Sequence, residues 1–189
     1  MPAIKFYNDD CRYRLAERRK VREWLVAAAA EEGFAITEIS YVFCSAQRLL
    51  EMNRRFLGHD YYTDVITFDY SDRKAGYVSG DIFIDVETVA DNAAEYGATR
   101  REEMLRVVVH GLLHLCGQGD KTPRTNAQMH RKEDKYLRKY RERAGAGAVS
   151  EETGAAETAG VVSGAEVDSG ASDTAFPKDF DAAKKETKR

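Results

Sequence analysis

The apolar positions of residues 1–143 follow two spacings, and each change of spacing marks the boundary of a predicted element. Runs rich in β-branched and aromatic residues, with partial alternation, predict strands. Such runs occupy residues 4–7, 36–44, 64–70 and 80–86. A polar connection of hairpin-like length, residues 71–79, joins the last two runs, so we expect these two strands to be neighbours and antiparallel.

Apolar residues at helical spacing predict five helices in the remaining segments. The predicted helices cover residues 15–33, 45–56, 86–97, 99–117 and 126–143. Ser45 is a favourable N-cap, and Gly97 and Gly117 are favourable stops. The mixed order predicts an α+β fold, in which a small mixed sheet of about four strands packs with about five helices.

The composition changes sharply after Arg143. Residues 144–189 consist largely of Ala, Gly, Ser, Thr and Glu, with few large apolar side chains. Such a segment cannot offset the entropy lost on ordering by burying apolar surface. The sequence therefore predicts a folded domain over residues 1–143 and a low-complexity, disordered tail over residues 144–189.

The net charge and the cysteines indicate how the protein could contact RNA and in which cellular compartment it works. The net charge of the chain is −3, so any contact with RNA must be local rather than spread over a basic surface. The cysteines, Cys11, Cys44 and Cys116, form no C-x-x-C pair, which favours a reducing, cytoplasmic setting. No window of about 18 apolar residues and no apolar leader occurs, so we expect neither a membrane span nor export.

Two histidines at helical spacing dominate the segment VVVHGLLHLCGQGD, residues 107–120. His110 and His114 are one helical turn apart, which places both imidazoles on one face of a helix. Gly117 suits a left-handed turn at the end of that helix, and such a turn brings Asp120 back toward the pair. The sequence thus predicts a metal site at the end of a central helix, with His110, His114 and Asp120 as ligands.

The types of donor indicate which ion and which chemistry to expect. Two neutral imidazoles and a carboxylate suit one zinc ion per chain, with iron, manganese or another divalent ion as alternatives, and they leave a position for water. An open position with a metal-bound water is typical of hydrolytic sites. The spacing parallels that of metallopeptidases, but Gly111 stands where those enzymes have a glutamate as general base, which disfavours a peptidase.

Three segments resemble one known family. HGLLHLCGQGD, residues 110–120, is similar to the signature H-G-x-L-H-L-x-G-x-D-H of the YbeY endoribonuclease family. Residues 52–70 are similar to the family's N-x-x-x-R-x-x-D-x-x-T-D-V-L-S-F region, and residues 79–89 to its L-G-D-I-x-I-x-x-E strand. The resemblance implies a small α+β metalloprotein, a metal-dependent hydrolase that cuts single-stranded RNA.

The same resemblance implies a role in ribosome biogenesis. The implied reaction is maturation of the 3′ end of small-subunit ribosomal RNA, with a further part in ribosome quality control. The implied partners are single-stranded ribosomal RNA and the ribosome or small-subunit assembly factors, in the cytoplasm.

Two positions depart from the family pattern. The family's usual third metal ligand is a histidine, and Asp120 preserves coordination while making the site more negative. The family's catalytic arginine aligns with Leu57, which can neither bind phosphate nor stabilise developing charge. Arg54 and Arg55 lie close by in sequence, and Arg55 is the candidate catalytic side chain beside the metal-bound water.

The missing arginine leaves a second function open. The chain is either a metal-dependent endoribonuclease or a ribosome-associated metal-binding protein with weak or no nuclease activity. Basic clusters in residues 99–103 and 130–143, the latter with Tyr136 and Tyr140, are candidate surfaces for RNA phosphates and stacked bases. The alternative is that these mixed-charge helices are simply solvated faces.

Overall fold

The computed structural model describes residues 2–149, with side chains as far as Arg143. In chain order the elements are β1 (Ala3–Asn8), α1 (Arg18–Glu31), β2 (Ala35–Cys44), α2 (Ala46–Met52), a π-helical turn (Asn53–Leu57), β3 (Val65–Asp69), β4 (Tyr77–Asp85), α3 (Val86–Glu95), α4 (Arg100–Leu115) and α5 (Pro123–Val149). Within this part of the chain, the predicted strands and helices are therefore all present in the predicted order.

The strands form one mixed sheet in the order β1, β2, β4, β3. β1 pairs in parallel with β2, and β2 pairs in parallel with β4. β3 pairs antiparallel with β4, from Val65 opposite Ile84 to Asp69 opposite Gly80, which confirms the predicted antiparallel neighbours. The α+β fold class is thus confirmed, and β3 lies at one edge of the sheet.

Successive residues of β4 enter two separate hydrophobic clusters, one on each face of the sheet. Ile82 and Ile84 belong to the larger cluster, which also contains the buried sides of α1, α4 and α5. Phe83 belongs to the smaller cluster, together with Ile66 of β3 and Leu49 of α2. The period of two in β4 therefore directs alternate side chains to α4 on one face and to α2 on the other.

The helix predicted over residues 45–56 is divided in the structure. α2 ends at Met52, and residues Asn53–Leu57 form the π-helical turn, which ends at Gly58 in the left-handed conformation. Apolar spacing does not distinguish an α-helix from a π-helical turn that continues it, because the change adds less than one residue per turn over a short segment. The helical segment therefore ends at Leu57, and the connection to β3 begins at Gly58.

The last helix is longer than predicted at both ends. Pro123 occupies its first turn, where proline is favourable, and the hydroxyl of Thr122 accepts the backbone N–H of Thr125. The helix continues to Val149, past the predicted domain boundary at Arg143. Residues 150–189 lie outside the described residues, so the disordered tail over residues 144–189 stays a prediction.

Helix α4 approaches the sheet closely at Gly111. A Cβ atom at this position would lie 2.7 Å from Cγ2 and 3.0 Å from Cδ1 of Ile82, which is itself buried. A glutamate at this position, as in metallopeptidases, would have to enter that contact. The missing side chain lets α4 lie against β4, while His110 and His114 remain partly exposed beside it.

Replacing Gly111 with alanine is expected to lower the free energy of unfolding by up to about 2 kcal/mol. Overpacking against Ile82 costs about 1–3 kcal/mol, and the better helix propensity of alanine offsets about 1 kcal/mol of this. Urea unfolding measures the loss. Gly119→Ala is the matched control, because a Cβ atom there meets nothing within 4 Å. Equal stability of the two variants would contradict the close packing at Gly111.

Candidate metal centre

Helix α4 carries both predicted histidine ligands. A capping box starts the helix: the Thr99 hydroxyl accepts the N–H of Glu102, and the Glu102 carboxylate accepts the N–H of Thr99. Near the end of the helix, His110 and His114 approach each other with 2.9 Å between their Nε2 atoms. A single rigid element thus holds two imidazole nitrogens side by side.

The turn after α4 brings the third predicted ligand to this pair. Gly117 has a φ of +90°, a conformation that favours glycine, and its N–H donates to the carbonyl of His114. The reversal places Oδ2 of Asp120 3.4 Å from Nε2 of His114 and 3.9 Å from Nε2 of His110. The structure therefore brings together the three side chains that the sequence spacing selected.

The three donor atoms have the spacing expected of ligands around one ion. They lie within 4.8 Å of one another, and ligands bound at about 2.1 Å in a tetrahedral arrangement are separated by about 3.4 Å. The His110, His114 and Asp120 side chains are 20%, 27% and 34% exposed, so one side of the group faces solvent. The group can hold a divalent ion that keeps a position open for another ligand.

A buried carboxylate that the sequence analysis missed orients His110. Glu133 of α5 is only 2% exposed, and its Oε1 lies 2.7 Å from Nδ1 of His110. An ionised carboxylate accepts and does not donate, so Nδ1 carries the proton and Nε2 keeps its lone pair toward the other two ligands. The second oxygen of Glu133 accepts from Arg106 at 3.3 Å and from His130 at 3.1 Å.

The sequence does contain a signal for Glu133. It lies on the apolar stripe of α5 that the buried side chains of Met129, Tyr136 and Tyr140 define. A charged residue within such a stripe needs a buried partner, and His110 supplies it. The same burial shows that residues 130–143 do not offer Tyr136 and Tyr140 for stacking on bases, so the stacking part of that prediction was wrong, and the contact with phosphates stays a prediction.

The surroundings shift the pKa values of His110 and His114 in opposite directions. Burial alone would lower the pKa of His110, but the hydrogen bond to Glu133 and nearby carboxylate charges, including that of Asp64, raise it above the usual value. Burial and the neighbouring His110 lower the pKa of His114. Burial would raise the pKa of Glu133, but its bond to His110 holds the pKa below the usual value. The distance of 2.7 Å between Nδ1 of His110 and Oε1 of Glu133 is that of a charge-assisted hydrogen bond.

The cysteines do not add a thiolate to this group. Cys11, Cys44 and Cys116 are free thiols in the described part of the chain. Burial raises the pKa of Cys11 to about 11 and that of Cys116 to about 12, so both are protonated at neutral pH. Cys116 packs against the larger core cluster, as expected from its position on α4.

The chain matches one protein family over most of its length. The sequence model of the family described as Endoribonuclease YbeY matches residues 4–141. The chain belongs to this family. The resemblance seen in three sequence segments is therefore confirmed, and the predicted enzyme class, a hydrolase that cuts RNA, is confirmed at the level of the YbeY family.

Relatives named Endoribonuclease YbeY occur in several bacteria. The protein of Cytophaga hutchinsonii is 48% identical over 134 residues, which are 71% of this chain and 93% of the relative. The protein of Bacteroides thetaiotaomicron is 42% identical, over 71% of this chain and 97% of the relative. The protein of Porphyromonas gingivalis W83 is 41% identical, over 77% of this chain and 95% of the relative.

A solved structure has a similar fold. The solution structure of TM1509 from Thermotoga maritima matches with a TM-score of 0.54 at 23% sequence identity, covering 82% of this chain and 99% of that protein.

Within residues 2–149, no helix combines the length and the apolar character needed to cross a membrane.

The YbeY resemblance places the family's catalytic arginine at Leu57, which is exposed at the end of the π-helical turn. Arg54 forms an ion pair with Asp60, with 2.5 Å between Nε and Oδ1. Arg55 is exposed, and its Cζ lies 5.3 Å from the ring centroid of Phe56. Arg54 is thus paired within its own loop, and a catalytic role for Arg55 stays a prediction.

Proposed function

We propose that this protein is a metal-dependent endoribonuclease that cuts single-stranded RNA, with one divalent ion held by His110, His114 and Asp120. The observation that carries the proposal is the convergence of these side chains, with Glu133 behind His110, in a chain of the YbeY family. Family membership supports RNA as the substrate class, and the geometry supports the choice of residues.

The chain's own residues prepare the site for hydrolysis. A divalent ion bound there would lower the pKa of a water molecule to about 7 and polarise a phosphoryl oxygen. His110 and His114 are held on one helix. Glu133 binds the proton on Nδ1 of His110, which orients the ring and leaves the lone pair of the neutral imidazole on Nε2. Arg106 bonds to Glu133 and offsets its buried charge. The exposed side of the group gives a phosphodiester access.

Zinc is the ion that we propose. Two imidazoles and a carboxylate are a ligand set found in catalytic zinc sites, and this set leaves a fourth position open. Asp120 makes the site more negative than a third histidine would, which also suits harder ions such as manganese or iron. Metal analysis of purified protein distinguishes these ions directly.

We also propose a place for the enzyme in the cell. The substrate is the 3′ end of small-subunit ribosomal RNA, the partners are the ribosome or small-subunit assembly factors, and the compartment is the cytoplasm. The YbeY resemblance supports the substrate and the partners. The free thiols Cys11, Cys44 and Cys116 support a reducing compartment.

Cleavage of a labelled single-stranded RNA tests the proposed function. Metal-loaded protein is expected to cut this RNA, and both His110→Ala and chelator-treated protein are expected to leave it intact, because each lacks the ion. A duplex of the same sequence is expected to be cut much more slowly. Undiminished cleavage by His110→Ala and by the chelated protein would reject the site.

The exposed Leu57 favours a second function, a ribosome-associated metal-binding protein with weak or no nuclease activity. Stoichiometric metal without RNA cleavage would support it. Two variants separate the possibilities further. If Leu57 limits catalysis, Leu57→Arg raises the cleavage rate. If Arg55 has taken over the role, Arg55→Ala abolishes cleavage and Leu57→Arg leaves it unchanged.

A further inference from the structure

Two large aromatic side chains project into solvent from residues 58–64, the segment between the π-helical turn and β3, which we call the aromatic loop. Tyr61 is 57% exposed and Tyr62 is 61% exposed. The ring of His59 stacks on that of Tyr61, with centroids 5.2 Å apart and planes 20° from parallel. Clustered exposed aromatic rings are typical of a binding surface.

The π-helical turn holds the aromatic loop in place. The buried Asn53 donates from Nδ2 to the carbonyl of Tyr61 at 2.8 Å, and the carbonyl of Asn53 accepts the N–H of His59 at 3.3 Å. Arg54 and Asp60 form their ion pair across the start of the loop. A fixed backbone therefore presents the rings, so little conformational entropy is lost when a flat ligand stacks on them.

The aromatic loop leads into β3, which contacts the helix of the candidate metal centre. Its last residue, Asp64, accepts the N–H of Asp85 at 2.9 Å through its carbonyl, and β3, which follows it, contacts α4, the helix of His110 and His114. Val65, the next residue, packs against the core cluster that contains the buried side of α4. Two peptide units span at most about 7 Å, so Tyr62 begins within that distance of Asp64.

The surroundings of the rings favour a nucleic acid over a protein as the partner. Arg55 adds positive charge on the adjoining turn, which suits a phosphate, whereas the charge of Arg54 is paired with that of Asp60. Leu57 is the only large aliphatic side chain exposed in the described part of the chain, so the exposed apolar side chains of this region are mainly tyrosines. The faces of tyrosine rings stack well on bases of any sequence, and membership of the YbeY family supports RNA as the substrate class.

We propose that Tyr61 and Tyr62 form a stacking surface for unpaired RNA bases next to the metal centre. The inference rests on the proposed function and adds to it the residues that select single strands. Bases in a duplex are already stacked inside the helix and cannot reach the rings, whereas unpaired bases can. Strand selectivity then resides in the aromatic loop, and cleavage resides in the metal centre.

The first test compares Tyr61→Ala and Tyr62→Ala with Tyr96→Ala in the full-length, metal-loaded protein. Tyr96 is the matched control, because it is 70% exposed but lies at the end of α3, before α4 begins. Each loop variant is expected to raise KM for single-stranded RNA by about 5- to 100-fold with little change in kcat, the factor that one stacked base contributes to affinity. Tyr96→Ala and Tyr61→Phe are expected to behave as the wild type, because each keeps both loop rings.

A binding measurement separates base stacking from other causes. Fluorescence anisotropy is recorded in a His110→Ala background, so that the RNA stays intact. The probes are a single-stranded RNA and an oligomer of the same length from which the bases have been removed, so that both carry the same phosphates. The loop variants are expected to lose affinity for the RNA and to keep their affinity for the abasic oligomer.

Three results would overturn the inference. The first is unchanged RNA affinity in both loop variants. The second is an equal loss for the two oligomers, which would indicate a phosphate contact or a folding defect. The third is a wild-type dimer that the loop variants convert to monomers, which would assign the rings to a protein interface. If the metal-loaded wild type cuts no RNA, the proposed function fails, and the anisotropy still decides whether the aromatic loop stacks bases.

Discussion

The His114→Ala variant is expected to lose both its metal ion and its ability to cut RNA. His114 supplies one of the three donor atoms, and the two that remain, on His110 and Asp120, lie 3.9 Å apart. Losing a partner that merely orients a ligand costs about 10- to 100-fold in metal affinity, so losing a ligand should cost more than about 100-fold. The fold should survive, because the side chain is partly exposed.

Metal content after dialysis measures this effect, with RNA cleavage recorded on the same samples. His59→Ala is the control for metal content, because His59 is a histidine of the aromatic loop and not part of the ligand group. One equivalent of metal is expected in His59→Ala and essentially none in His114→Ala. The coordination would be wrong if His114→Ala retained its equivalent.

The Glu133→Gln variant is expected to bind metal about 10- to 100-fold more weakly while remaining folded. Glutamine has the shape of glutamate but carries no charge, so the bond that fixes Nδ1 of His110 loses its charge assistance. Its amide also presents donors, which compete with those of Arg106 and His130 for the same space. The imidazole of His110 is then less firmly aimed at the ion.

A chelator competition gives the affinities, and Asp134→Asn is the matched control. Asp134 is the next residue of α5 and also bonds to Arg106, at 2.7 Å, but its side chain is exposed. Asp134→Asn is expected to keep the wild-type affinity. If the two variants bound metal equally well, the orienting role of Glu133 would have to be abandoned.

The ligand group could be predicted because its three members are close in sequence. The spacing of His110 and His114 depends only on helical geometry, and Gly117 indicates where the chain reverses toward Asp120. The sheet was predictable for a similar reason, since the alternation in residues 80–86 is a local property. Local patterns thus sufficed for the fold class and for the candidate ligands.

The partners of these ligands could not be placed in the same way. Glu133 reaches His110 from another helix, 23 residues further along the chain, and nothing local to either residue specifies that contact. The aromatic loop is directed by the π-helical turn, which apolar spacing does not reveal. Long-range packing therefore decides how His110 is oriented, and a local change of helix type decides how the aromatic loop leaves α2.

Gly111 shows how a sequence motif gains a physical reason from the structure. The sequence alone indicates that a metallopeptidase glutamate is missing at this position. The structure adds that any side chain there would meet Ile82 of β4. The glycine therefore allows α4 to pack closely on the sheet. Its replacement is expected to change the stability of the fold, whatever it does to the chemistry of the site.

The most direct test of the central claim is a metal titration in which occupancy and RNA cleavage are measured on the same sample. Zinc is added stepwise to chelator-treated protein, and cleavage of a labelled single-stranded RNA is followed at each step. Cleavage is expected to rise in proportion to bound metal and to reach its plateau at one equivalent per chain. Full cleavage by the metal-free protein would contradict the account.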